Sequence, residues 1–494
     1  MNIRLLAKVL GWLLILESVA MAGCGLFAWA DPVAGDRPAM MVMLTSAGLT
    51  ALAGLLLLIS GIGRIERIPR REAVLIVGLG WLLCGVFGGI PFVLSEPGLT
   101  FGGAFFESVS GFTTTGSTAI ADLNEWPRGL LMWRAVTQWL GGLGILVLFV
   151  ALLSYLGIGS KSLFRNESSF ATGEATTARI RDTALLLWKV YLLITIACLL
   201  GLRAMGLSWF DAVTHTFAAV STGGFSNYNN SIGFYGDWGN AALIEGWLII
   251  FMTACSLNFL IYVLVARRKW KRLRDEEDGR WFVVMCLASA VAIAAGVAAT
   301  SDQSFLRALR DGLFTVVTIA STTGFCTADY DRWPTYARII LALLMIVGGC
   351  AGSTAGGLKI GRLLVFFKAS LHEIVKVFRP HQVFRLHVNG NPLGLDARAQ
   401  VMMFIALYGA IICISTLLVT VLELGRPISM ETAFGSVVAT LSNIGPGFDA
   451  VGPTANFAGL RAVTQAFLGL LMVIGRLELY AILVLFIPAV WRKY

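Results

Sequence analysis

Long apolar stretches alternate with short polar segments from near the N-terminus to Val490. A helix needs about 20 apolar residues to cross roughly 30 Å of hydrocarbon, and on that measure the chain holds about ten spans. Two come first, over residues 8–29 and 39–61, and neither ends in the small-residue cleavage pattern of a removable signal peptide. The others pair: 73–95 with 129–156, 183–204 with 241–265, 281–299 with 336–367, and 400–423 with 459–489. Within each pair lies a shorter, semi-polar segment. The pattern divides the chain into two N-terminal helices (1–70) and four repeats, 71–160, 161–270, 271–372 and 373–494.

Each semi-polar segment begins with a helical stretch of about 10 to 13 residues, too short to span, opened by a capping hydroxyl and followed by an acid. The pairs are Thr100 with Glu107, Ser208 with Asp211, Ser304 with Asp311, and Ser429 with Glu431. A re-entrant half-helix entering from outside fits this length. Next come Ser110-Gly-Phe-Thr-Thr-Thr-Gly116-Ser-Thr118, Ala219-Val-Ser-Thr-Gly223-Gly-Phe-Ser226, Ala320-Ser-Thr-Thr-Gly324-Phe-Cys-Thr327 and Leu441-Ser-Asn-Ile-Gly445-Pro-Gly-Phe448. Their glycines recur at intervals of 107, 101 and 121 residues, so one unit is used four times.

Non-helical backbone at membrane depth survives only inside protein or beside water. Four helix C-termini converging there aim partial negative charge at one point and favour a cation. Glycine permits backbone angles closed to other residues, so carbonyl oxygens can replace the hydration shell of potassium. Neighbouring Thr and Ser add hydroxyl oxygens but no fixed charge. Close helix packing through small residues explains one such loop, but not four at a regular period on one membrane side. A second match, Arg134-Ala-Val-Thr-Gln138 with Arg461-Ala-Val-Thr-Gln465, reads as a trace of the duplication. Its Arg and Gln fit interfacial snorkelling and helix packing.

Composition agrees: 57% of residues are hydrophobic, 14% are charged and the mean hydropathy is +0.78, which excludes a soluble protein. Basic clusters fall at Arg64, Arg67, Arg70 and Arg71, at Lys161, Arg165, Arg179 and Arg181, at residues 267–274, between Lys368 and Arg398, and at Arg492 and Lys493. They alternate with loops carrying Asp31, Glu96, Asp122, Asp237, Asp329 and Asp449, which puts both termini inside and the short segments outside. The net charge of +9 is therefore topology rather than a nucleic-acid surface, which needs a basic soluble domain. The loop 158–180 and the stretch 374–396 are places for a cytoplasmic partner to dock. Eight scattered cysteines and four scattered histidines lack metal-ligand spacing, and no acid–base pair or nucleophile marks an enzyme. No cofactor is expected. Without a Gly-rich nucleotide signature, nucleotide control has to come from another chain.

Two features remain. The second span of the third repeat contains Gly348-Gly-Cys-Ala-Gly-Ser-Thr-Ala-Gly-Gly357, and helix-interior glycines cost about 1 kcal/mol each, so the helix should break there. On the residues alone, tight packing and a mobile intramembrane loop both stay open. Arg476 lies in the last span, where it must face protein or water, either as a buried ion pair or beside a pore. Glu478, two residues on, points to the opposite helix face.

On its four loops, glycine-broken helix and late arginine, the chain resembles the Trk/Ktr/HKT superfamily of potassium transporters, closest to its bacterial TrkH/TrkG membrane-subunit branch. The resemblance spans essentially the whole chain. It implies an all-α polytopic membrane protein with two N-terminal helices ahead of four helix, pore-helix, filter-loop, helix repeats around a central pore. It assigns Thr114, Thr115 and Gly116, Ser221, Thr222 and Gly223, Thr322, Thr323 and Gly324, and Asn443, Ile444 and Gly445 to a potassium-binding filter, with potassium as substrate. Glycine rather than serine at 116 implies potassium over sodium. Gly348, Gly349, Gly352, Gly356 and Gly357 become a gate below the filter, and Arg476 a positive charge beside the pore. The resemblance also implies a bacterial inner-membrane location, a homodimer and a cytoplasmic TrkA-like nucleotide-binding regulator. The competing function is an alternating-access cation symporter built from broken-helix repeats.

Overall fold

The computed structural model describes residues 2–31, 37–61, 70–144, 177–379, 386–389, 391–488 and 491. Within these the protein is helical except for a hairpin of His387–Val388 with Asn391–Pro392. Six helices are long and apolar enough to cross a membrane: Ile3–Ala30, Arg37–Ser60, Arg71–Leu94, Ala184–Ala204, Asp278–Thr300 and Leu395–Leu422. They are the two N-terminal helices and the first helix of each repeat, within a few residues of the expected spans. The N-terminal pair is antiparallel and meets backbone to backbone, because a β-carbon on Gly11 would lie 2.7 Å from the Gly54 carbonyl oxygen. Without a hydrophobic drive between helices in lipid, such close approach supplies the packing.

Four short helices follow the first helix of each repeat: Phe101–Phe112, Trp209–Val220, Phe305–Ala320 and Met430–Leu441. Their starts are set by Thr100, Ser208, Ser304 and Ser429, whose hydroxyls each accept the amide three residues on. This satisfies one otherwise orphaned donor per helix. Their inner halves are almost wholly buried, which is what non-spanning helices at membrane depth require.

The second helix is broken in the second and fourth repeats as well as in the third. Ala241–Ser256 continues as Leu260–Ala266 after a bend of 95°, and Ala462–Arg476 as Tyr480–Phe486 after 116°. Thr335–Val347 ends at Gly348, and the next helix, Ile360–Phe378, starts after Lys359. In the first repeat Arg128–Gly142 ends before Gly144 at φ 80°, and residues 145–156 of the expected span lie outside the described residues. The breaks at Leu257-Asn258-Phe259 and Leu477-Glu478-Leu479 contain no glycine. At the first of these a tertiary bond and a local cap replace the lost ladder: Phe259 donates to the Gly352 carbonyl at 2.9 Å, and the Asn258 side chain accepts the Leu260 amide at 2.9 Å. Glu478 and Leu479 take left-handed angles, φ 54° and 64°, to make the turn.

The pentapeptide match is not a repeat mark. Arg134 sits inside the helix Arg128–Gly142, whereas Arg461 is the cap ahead of Ala462–Arg476. Arg461 reaches the Leu422 and Leu424 carbonyls at the surface, while Arg134 is 2% exposed.

Ser208 accepts the Asp211 amide at 3.0 Å and donates to its carboxylate at 2.7 Å. Ser208→Ala is expected to cost about 1 kcal/mol, and Ser208→Gly only a few tenths. Thermal unfolding of the detergent-solubilised protein measures both; equal losses would mean that the cap does not set this helix start.

Candidate ion-conducting site

The four short helices end alike. Cap residues Thr113, Ser221, Ser321 and Ser442 keep right-handed angles. The next residue turns left-handed in every repeat: Thr114 at φ 54°, Thr222 at 55°, Thr322 at 56° and Asn443 at 56°. Asparagine tolerates this region, but β-branched threonine does not, at a cost on the order of 1–3 kcal/mol each. Paired backbone bonds hold the strain. Thr114 and Thr115 donate to the Gly111 and Ser110 carbonyls, both at 2.9 Å, and the same two bonds recur at Thr222 and Gly223, Thr322 and Thr323, and Asn443 and Ile444.

Two residues after each cap residue's successor comes a glycine, again at positive φ: Gly116 at 86°, Gly224 at 74°, Gly324 at 84° and Gly445 at 110°. A β-carbon on Gly116 would lie 2.1 Å from the Gly223 carbonyl oxygen, on Gly224 1.9 Å from that of Thr323, on Gly324 2.0 Å from that of Ile444, and on Gly445 3.0 Å from that of Thr115. Each glycine rests on the next repeat's carbonyl and the fourth returns to the first, so the segments form a closed ring. Bonds between the loops beyond follow the same circuit: Leu123 to Asn229 at 2.9 Å, Gly233 to Cys326 at 3.0 Å, Tyr330 to Gly447 at 2.7 Å and Phe457 to Thr118 at 2.8 Å. An open cavity of about 320 Å³ is lined by all four ring glycines.

This geometry fixes the register. Thr114-Thr115-Gly116, Thr322-Thr323-Gly324 and Asn443-Ile444-Gly445 occupy equivalent positions. The expected triplet Ser221-Thr222-Gly223 is displaced by one: Ser221 is a helix cap like Thr113, and Gly224 holds the ring position. Two adjacent glycines made both registers possible in the sequence, and only the backbone angles separate them.

Few of the hydroxyls are free to serve as extra ligands. Thr115 and Thr323 lie 2.7 Å from the cap hydroxyls of Thr113 and Ser321, and Asn443 donates to Thr115 at 2.9 Å. These bonds tie the segments to their helix ends. The Thr222 and Thr322 hydroxyls reach the glycine-rich loop instead: Thr222 lies 3.2 Å from Thr354 Oγ1, and Thr322 accepts the Gly356 amide at 2.7 Å.

That loop packs on the helix end of the ring, away from the cavity. A β-carbon on Gly356 would lie 2.3 Å from the Ser442 carbonyl oxygen, and Gly348 and Gly357 press α-carbon on α-carbon. Gly352 accepts from Phe259 and Gly349 accepts the Ile360 amide at 3.0 Å. Arg476 donates to the Thr354 carbonyl at 2.7 Å and to those of Gly141 and Gly142, both at 2.8 Å. It therefore ties the loop of the third repeat to the first repeat. Glu478 pairs with Arg362, across repeats, rather than with its neighbour.

Two residues expected to serve only packing touch the ring. Arg134 bonds Glu107 at 2.7 Å in a pair that is almost fully buried, donates to the Ser226 carbonyl at 3.0 Å and stacks 4.0 Å over Phe225. Gln138 donates to the Gly223 carbonyl at 2.6 Å and accepts the Phe225 amide at 3.1 Å. The signal available in the sequence was a carboxylate and an arginine within apolar segments, which have to meet a partner.

A frame of spanning helices around a closed ring of four re-entrant turns defines a membrane protein of the pore-loop class. The chain belongs to the TrkH family, described as cation transport proteins, whose model matches residues 67–493. It is thus a transporter-family protein and not an enzyme. Across all of both chains it is 35% identical to the Trk system potassium uptake protein TrkH of Escherichia coli and 33% identical to that of Halomonas elongata. It is 33% identical to TrkG of Escherichia coli over 86% of each chain. The crystal structure of the potassium transporter TrkH from Vibrio parahaemolyticus superposes with a TM-score of 0.85, at 30% identity and with 100% of both chains covered.

Removing one partner of a buried pair leaves an uncompensated charge, so Arg134→Met should cost about 3–5 kcal/mol. Arg134→Met with Glu107→Leu should regain part of it; thermal unfolding midpoints of the two variants decide, and equal losses would show that the pair is not energetically coupled. Beyond the third ring segment, Asp331 accepts the Asp449 amide at 3.0 Å and lies 3.9 Å from Arg338. Burial pushes its carboxyl up from 3.8 to about 6, against that hydrogen bond and the Arg338 charge. A raised carboxyl costs stability once pH exceeds the folded value and costs none below the unfolded one. Asp331→Asn should therefore raise the unfolding midpoint more at about pH 8 than at about pH 4, and an equal effect at both would exclude this origin.

Proposed function

We propose that this chain takes up potassium across the cytoplasmic membrane of a bacterium, the ion passing through the ring formed by Thr114 to Gly116, Thr222 to Gly224, Thr322 to Gly324 and Asn443 to Gly445. The closed ring carries the reading: four copies of one backbone turn meet at the C-termini of four half-helices and offer neutral oxygens alone. Helix C-termini favour a cation, and carbonyl oxygens exchange for its hydration shell without a fixed charge to trap it. The printed names of the relatives, potassium uptake and potassium transport, support potassium as that cation. The alternation of basic and acidic loops supports cytoplasmic termini.

The loop Gly348 to Gly357 is read as the gate, because it bonds the ring at Thr222 and Thr322, and Arg476 as the positive charge that limits cation residence beneath it. A homodimer and a cytoplasmic TrkA-like nucleotide-binding regulator complete the proposal, on the family resemblance.

Rubidium and sodium uptake in a host lacking its own potassium systems tests the core of it. Wild type should carry rubidium well ahead of sodium, and Gly116→Ser should lower that preference about tenfold, since serine meets both a φ of 86° and the Gly223 carbonyl. Absent rubidium flux, or sodium flux as large, would overturn the assignment. Deleting residues 349–356 should raise flux without the regulator; unchanged or lower flux in a folded variant would remove the gate role.

A further inference from the structure

The second ring segment lacks a part that the others have. At the position before the ring glycine stand Thr115, Thr323 and Ile444, but Gly223 in the second repeat. Thr115 and Thr323 use that side chain to grip the cap hydroxyl behind them at 2.7 Å. Gly223 has nothing to grip with, and its backbone angle is not left-handed, so glycine is not required there for conformation. The space is filled from another repeat. A β-carbon on Gly223 would lie 2.4 Å from Cδ of Gln138. Gln138 is fully buried and spans the segment with two bonds, to the Gly223 carbonyl at 2.6 Å and from the Phe225 amide at 3.1 Å. Among the described residues, Gly223 has the one carbonyl at this ring position with a side-chain donor.

We propose that Gln138 is a positioning residue for ion discrimination, standing in from the first repeat for the side chain that the second segment lacks. The proposal rests on the potassium reading of the ring. Gln138 and Gly223 are then one unit: the amide fits only because residue 223 has no side chain, and residue 223 lacks one only because the amide is there. Two consequences follow. Loss of Gln138 frees the segment that receives Gly116 on its carbonyl, so selectivity falls while a pathway remains. Threonine at 223 restores the arrangement of repeats one and three, with Ser221 in the place of Thr113 and Ser321, but only once Gln138 has been cut back.

The test is a double-mutant cycle on wild type, Gln138→Ala, Gly223→Thr and Gln138→Ala/Gly223→Thr in proteoliposomes, reading rubidium and sodium uptake from the same vesicles so that protein amount cancels. Each single variant should lower the rubidium-to-sodium ratio about tenfold, and the double should return to within about threefold of wild type. Gln138→Met keeps the volume without the donor, and should fall as Gln138→Ala does; it serves if the alanine variant does not reach the membrane. A wild-type ratio in either Gln138 variant, or a double variant no better than the singles, overturns the proposal. Wild-type rubidium flux in the same experiment bears on the potassium reading alone, so the two fail separately.

Discussion

Each ring glycine rests on a carbonyl oxygen that belongs to the next repeat, and the circuit closes. No repeat holds its turn alone. The left-handed threonines that precede the glycines are costly conformations, and they persist because two backbone bonds and a neighbouring segment over-determine each of them. The rest of the architecture serves this contact. The short helices have to be capped and buried so that their ends arrive at one level, and the second helices have to break so that backbone can pass beneath.

Fourfold backbone repetition does not extend to the support behind it. Segments one and three are fastened by their own hydroxyl pairs, segment two by Gln138 and by the Arg134 and Glu107 pair, and segment four by Asn443 reaching Thr115 and the Met472 carbonyl at 2.9 Å. A duplicated unit thus keeps the geometry of the ring and diversifies the geometry behind it. This explains why glycine and threonine repeat while the braces share no motif.

What was legible in the chain follows from the range of the forces involved. The six long helices were visible because lipid imposes a composition over some 20 residues. Glycine after Thr-Thr marks the turn in the first and third segments and glycine after Asn-Ile in the fourth, while the Gly223-Gly224 pair hid the register of the second by one residue. The break at Gly348 announced itself in composition, while the other two did not: the one at Leu257 to Phe259 is held by the distant Gly352 carbonyl, and the one at Leu477 to Leu479 turns at positive φ on local backbone bonds with no glycine to mark it. Arg134 and Gln138 were noticed for a repeat they do not mark. Their partners lie 27 and 85 residues away, beyond any local pattern.

The glycine-rich loop shares hydroxyls with the ring: Thr322 accepts from Gly356, and Thr222 meets Thr354. Any displacement of the loop strips these two strained residues of a partner and alters the energy of the turns that form the ring. Linkage then runs in both directions, because a ligand that favours one arrangement of the ring favours the loop position that goes with it by the same free energy. On the reading proposed above, a cation held by the ring is thereby also an effector of the loop, and external cation concentration enters the equilibrium of the loop through the ring itself.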